Sequence, residues 1–178
     1  MSGAISLISV ICVLVLVSLP RLRAFILLEN AADARSTVRY LASEFALLGQ
    51  EHPDPQVGDL LAKSRKLRHA LSDTEVLAEG RLIRRHGYLF AFVPRSAIER
   101  NTPGNADENS VSMIEANVQR PDQDHIILAW PWSPENSQLV LGTIDGKLYA
   151  PLRKNSAWSG PDLDPLVLPP LERWKRVY

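Results

Sequence analysis

Cysteine is almost missing from this chain. Cys12 is the single one and lies inside an apolar run, so no intramolecular disulfide can form and cysteine pairing says nothing about redox compartment. A lipid-modified reading of Cys12 is disfavoured, because Ile11 stands where a small residue is needed and apolar residues continue past it. Net charge is missing too: Lys plus Arg and Asp plus Glu stand at 20 each. No basic stripe interleaves with aromatics, so the footprint of a nucleic-acid partner is lacking. His52, His69, His86 and His125 do not have the spacing of a zinc site. Asp122-x-Asp124-His125 reads as a solvated loop leading into a strand rather than a metal site. Nucleophile elbow, phosphate-cradling glycine loop and dinucleotide fingerprint are all absent. These absences predict no catalysis, no cofactor, no metal and no small-molecule substrate.

What the chain has is an unusual beginning. The run Ala4 to Leu19 is apolar but about sixteen residues long, against the usual ~20 for a bilayer span. Pro20, Arg21 and Arg23 interrupt it, and Ala24 to Leu28 restore it. No Lys or Arg precedes the run and no A-x-A site follows, which argues against a cleaved secretory signal. The pattern fits a tilted or proline-kinked membrane helix whose arginines snorkel to the surface. Taken alone, the charge rule places the Arg21 and Arg23 flank in the cytoplasm, and a basic leader upstream would reverse that.

From Ala24 the apolar residues follow one helical stripe: Leu27 or Leu28, Ala31, Ala34, Val38, Leu41, Phe45 and Leu48, spaced by three and four. Gly49 stands where a left-handed C-cap belongs, with Pro53 beyond it. A single helix over about Ile5 to Leu48 is then expected, roughly 65 Å long at ~1.5 Å per residue. Asp54-Pro55 reads as the start of a second helix with Val57, Leu60, Ser64, Leu67 and Leu71 on one stripe. Its Lys63, Arg65, Lys66 and Arg68 read as a solvated face.

The period then changes to two. Arg81–Arg84 is predicted as a strand, His86-Gly87 as a tight turn, and Tyr88–Val93 as the return strand. Residues 95–124 read as a long loop with a short helix around Val111–Asn117. Strands are expected at Ile126–Trp130, Gln138–Ile144 and Lys147–Ala150, the last two joined by a hairpin at Asp145-Gly146. Trp130 and Trp132 could form a binding platform, but strand packing is the favoured reading. The proline-rich tail is expected to be extended, with a last helical turn at Leu171–Val177, and to dock through Trp158 and Trp174. The expected organisation is a spine helix over 1–49, an α+β head over 50–150 and an extension over 151–178. The fold class is α+β, a long N-terminal α-helix packed on a small antiparallel sheet of three or four strands.

Several stretches carry a resemblance. Pro20 is followed ten residues later by Asn30-Ala31-Ala32-Asp33-Ala34-Arg35-Ser36-Thr37-Val38-Arg39-Tyr40-Leu41. Gly80 to Phe92 ends in Gly87-Tyr88-Leu89-Phe90, and Ala129-Trp130-Pro131 leads on to Gly142-Thr143-Ile144-Asp145-Gly146-Lys147-Leu148-Tyr149. In this order they resemble the spine and the two hairpin motifs of the type IV pilin and type II secretion pseudopilin family. The resemblance covers about Ile5 to Ala150. It departs at Gly3, where the family carries a Glu, and no basic leader ending in a Gly cleavage site stands in the sequence as given.

The resemblance implies a pilin-like structural subunit of a type II secretion pseudopilus or pilus-like filament. Its partners would be other pilin-like subunits and the inner (cytoplasmic) membrane, crossed once, with the head periplasmic or extracellular. Leu27, Ala31, Ala34, Val38, Leu41 and Phe45 are the candidate helix-packing residues, some of which must hold the head onto its own helix. The alternative is a single-pass protein whose head binds a partner and never polymerises.

Overall fold

The computed structural model describes residues 2–48, 56–95, 125–134, 140–143, 147–151, 158–163, 168 and 173–177; in the long helix, side chains are described at Leu16 and at 18–47. The architecture is α+β. A helix α1 (Ser2–Leu48) of 47 residues runs through Pro20, spanning about 70 Å at ~1.5 Å per residue. Its upper half lies across one face of a sheet with seven strands among the described residues. Loop 95–124 beyond its first residue, Gly49, Asp54-Pro55 and Asp145-Gly146 lie outside the described residues.

The expected second helix is two helices, α2 (Val57–Lys63) and α3 (Arg65–Ala70). Ser64 breaks it, because its backbone is extended at φ −90° and ψ 108°. Its amide closes α2 on the Leu60 carbonyl at 2.9 Å, while its hydroxyl accepts from the Leu67 amide at 3.1 Å and donates to Glu44 of α1 at 2.8 Å. One serine thus ends one helix, caps the next and ties both to the spine. The expected stripe is nonetheless buried at Val57, Leu60, Ser64, Leu67 and Leu71, whereas Lys63, Arg65, Lys66 and Arg68 are exposed. The first of these helices has Gln56 as its N-cap rather than Asp54.

The strands are β1 (Glu75–Leu77), β2 (Leu82–Arg85), β3 (Tyr88–Pro94), β4 (His125–Pro131), β5 (Val140–Thr143), β6 (Leu148–Pro151) and β7 (Trp174–Val177). They form an antiparallel meander in sequence order. The sheet therefore has more strands than the three or four expected. Short β1 has little alternation to announce it, and β7 replaces the helical turn expected over Leu171–Val177. That tail segment pairs with β6, so its backbone bonds are met across strands rather than along a helix. His86 and Gly87 join β2 to β3 with φ of +43° and +77°, the paired left-handed geometry that matches strand twist in a two-residue hairpin.

Both faces of the sheet are covered. On one, Ile83, Tyr88, Phe90, Ile127, Ala129 and Leu148 pack with α1, α2 and α3. On the other, Leu89, Val93, Ile126, Leu128 and Trp130 pack with Trp158, Leu168 and Trp174 of the tail. The alternation of β3 and β4 thus sorts side chains into two apolar layers, and each fully buried large side chain contributes roughly 1.5–3 kcal/mol. The tail docks, as its tryptophans predict, and the surface it docks on is its own sheet. Trp130 packs there too, and its ring nitrogen donates to the Gly160 carbonyl at 2.7 Å.

Two glycines permit the closest approaches. A Cβ on Gly142 would lie 1.8 Å from Val38 Cγ1, so β5 needs a bare backbone where α1 crosses it. A Cβ on Gly58 would lie 2.6 Å from the Gly80 Cα, which brings α2 against the 3-10 turn Ala78–Gly80. Gly142→Ala is expected to destabilise the fold by about 1–3 kcal/mol through overpacking. Val38→Ala beneath it should recover part of that loss, since the clash is with the valine methyl. Chemical unfolding of the two single variants and the double variant, followed by tryptophan fluorescence, measures the coupling; strictly additive losses would contradict the contact.

Candidate assembly surface

The long helix changes character along its length. At the level of the head, Ala31, Ala34, Val38, Leu41, Ala42 and Phe45 are all at most 6 % exposed and belong to the helix-side core. Phe45 sits 4.6 Å from the Phe92 ring at the far end of the sheet. Below the head, the described helix side chains from Ser18 to Ile26 are exposed. Leu16, Leu19, Leu22, Phe25, Ile26 and Leu28 are exposed by 46–72 %. They occupy several sides of the helix rather than one stripe, and Arg21 and Arg23 are the charges among them.

This divides the residues that the sequence marks for helix packing. Ala31, Ala34, Val38, Leu41 and Phe45 are taken up by the chain's own sheet, so a second chain reaches them only if that core opens. Leu27 is half-buried at the junction. The physical reason is competition: the apolar stripe is read alike whether it meets a neighbouring helix or the chain's own strands, and β3, β4, β5 and β6 are covalently at hand. Six exposed large apolar residues lie lower, between Leu16 and Leu28, and Tyr40 and Leu47 are exposed singly on the upper half. The signal that marks the lower six is the loss of a polar face between Leu16 and Leu28, where apolar residues no longer keep to one stripe. Among the described residues no helix is long and apolar enough to cross a membrane, and most of the Ala4–Leu19 run lies outside the described side chains.

An ionic clamp holds the base of the head to the spine. Arg85, at the end of β2, lies 3.1 Å from Asp33 of α1 and 2.8 Å from Asp73, and it donates to the Thr37 hydroxyl at 2.8 Å. His86 in the next position reaches the same two carboxylates, Nδ1 to Asp33 at 3.0 Å and Nε2 to Asp73 at 2.7 Å. A neutral imidazole donates from one nitrogen only, so both contacts are met as donors when the ring is protonated. Burial alone would raise the Asp73 carboxyl, but the hydrogen bond from Arg85, a backbone bond and the charges of Arg85 and His86 hold it below 3.8. The cluster is not legible in the sequence, because residues 33, 73 and 85 meet only once the hairpin folds against α1.

A groove of about 410 Å³ lies on the tail side of the sheet, with Arg81, Ala91, Val93, Trp130, Asp162 and Leu163 in its lining. Ala78, also in that lining, and the adjacent Glu79 have φ of +49° and +57°. Arg81 and Asp162 are the charged groups there, and they form no nucleophile–base pair. Among the described residues, no group of three His, Cys, Asp or Glu side chains could hold a metal ion. Of the Asp122-x-Asp124-His125 stretch only His125 is described, 6.2 Å from the Phe45 ring. Comparison with known proteins found no matching family model, no matching curated protein and no matching solved structure.

Removing Arg85 leaves two carboxylates facing each other's field. Arg85→Met is therefore expected to cost about 2 kcal/mol, between the values for surface and buried pairs. The sign of the pH effect follows from Asp73. Its folded value is depressed, so its contribution is present above 3.8 and lost as pH falls through the lower folded value. Unfolding measured between about pH 2 and 6 should show an acid-side loss that Asp73→Asn reduces; an unchanged acid limb in that variant contradicts the clamp.

Proposed function

We propose that this chain is a membrane-anchored, pilin-like structural subunit, placed in the inner membrane with its head outside the cytoplasm. It assembles with copies or relatives of itself through its N-terminal helix, as a pseudopilin of a type II secretion or related pilus-type machine does. One observation carries the reading: the helix has its upper stripe sealed by its own sheet and its apolar base exposed on several sides. Such a base has no stable place in water. It fits lipid before assembly and neighbouring helices after it, since lipid-facing helix surfaces can exchange one apolar environment for another at little cost. The sequence motifs around Pro20, Gly87 and Gly142 support the same reading. Catalysis has no part in it; the work is the reversible transfer of a rod from bilayer to bundle.

The division of the helix determines how assembly is tested. Arginine at Ala31 or Ala34 would perturb folding, because both positions are sealed inside the head. The informative positions are Leu19, Leu22, Phe25 and Ile26. Single cysteines placed there in a Cys12→Ala background are expected to give oxidative crosslinks between subunits in the native membrane, with itself or with pilin-like partners identified by mass spectrometry. Phe25→Arg should abolish them while the head keeps its tryptophan fluorescence. A chain that stays uncrosslinked at all four positions with a folded head would instead be the non-polymerising single-pass protein.

A further inference from the structure

The base of the head carries a pair that neither the clamp nor the helix surface uses. Trp132 follows the end of β4 and is 36 % exposed. Its backbone amide donates to the Gly87 carbonyl at 2.8 Å, which fixes it beside the His86-Gly87 hairpin. The Arg84 guanidinium lies 4.7 Å over its ring and also meets Glu75 at 3.5 Å. His86 is within 3.0 Å of Asp33, so this edge stands at the Asp33 level of α1. The opposite end of the sheet is at Phe45, twelve residues further and about 18 Å up the helix. Trp132 and Arg84 are therefore on the helix-base edge of the head.

Resting on the anchoring reading above, we propose that Trp132 and Arg84 form a contact with the surface of the phospholipid bilayer that sets the height of the head. The last exposed apolar residue of the helix base, Leu28, is five residues below Asp33, about 8 Å along the axis. The polar headgroup layer of one leaflet is about 5–8 Å thick. A hydrocarbon boundary at Leu28 thus puts the Trp132 edge at the outer headgroup level. An indole with an apolar body and a ring N–H suits that layer, and a guanidinium stacked on it can turn its charge to a lipid phosphate. Asp33, Asp73 and Glu75 share the edge with Arg84, Arg85 and His86. The mixed charge favours a zwitterionic headgroup surface over a purely electrostatic attraction to anionic lipid.

The test uses the full chain with Cys12→Ala in phosphatidylcholine vesicles. Single cysteines at Leu22, Ser133 and Leu47 carry an environment-sensitive fluorophore, and lipids carry a spin-label quencher in either the acyl chain or the headgroup. A membrane anchor requires acyl-chain quenching at 22. A surface contact requires headgroup quenching at 133, at least about twofold stronger than at 47, because Leu47 stands about 21 Å further up the helix than Asp33. Trp132→Ala, an exposed substitution, should weaken quenching at 133 while leaving that at 22 intact. Quenching at 22 with none at 133 overturns the surface contact and leaves the anchor standing. Quenching at 133 that Trp132→Ala leaves unchanged also overturns the surface contact and spares the anchor. No quenching at 22 overturns both.

Discussion

The structure depends on one stripe of one helix lying against the middle of a sheet. Ala34, Val38, Leu41 and Phe45 are sealed there, and Val38 seats where Gly142 lacks a side chain. Without that contact α1 would expose its apolar stripe from top to bottom, and one face of β3, β4 and β6 would lose its cover. Small residues at Ala31, Ala34 and Ala42 let the helix come close, and glycine in β5 completes the approach. The glycine's conformational cost in a strand is offset by the packing it allows.

From that seam the remaining features follow in order. The covered face orients β3 and β4, whose alternate residues then point to the other side and need a second cover. The tail supplies it with Trp158, Leu168 and Trp174, and β7 extends the sheet with the same segment. The helix register brings Asp33 and Thr37 to the hairpin that carries Arg85 and His86, which locks the base of the head. Glu44, higher up, receives the Ser64 hydroxyl and lies 3.5 Å from Lys66, which holds the short helices. The head is thus tied to its spine by apolar packing along its length and by polar contacts at two levels.

Much of this can be read from the residues. The long helix, the His86-Gly87 hairpin, the Tyr88–Val93 strand and the docking of the tail tryptophans rest on local periodicity and turn chemistry. The break at Ser64 is less legible, because the apolar spacing from Val57 to Leu71 continues through it, and the local cap on the Leu67 amide is joined by a bond to Glu44, twenty residues earlier, that the spacing does not show. The segment Trp174–Val177 has the local pattern of a helical turn and is a strand, because its pairing partner decides its conformation. The exposed base is marked by the loss of a polar face between Leu16 and Leu28, but the burial of Ala31–Phe45 against the chain's own strands has no local signature. Periodicity reports that a face is buried and is silent about what buries it.

That division gives the spine two roles. Above Leu28 it is a structural part of the head; below, its described apolar side chains are exposed, and the proposed function assigns that surface to lipid and to other subunits. The most direct measurement is hydrogen–deuterium exchange along α1 in the full chain. A helix sealed into the head requires the amides of Ala31–Phe45 to exchange together with those of β3 and β4, as one cooperative unit that opens only when the head unfolds. Exchange at Ala34, Val38 and Leu41 that is fast while β3 and β4 stay protected would contradict it, since the helix would then not be the core of the head.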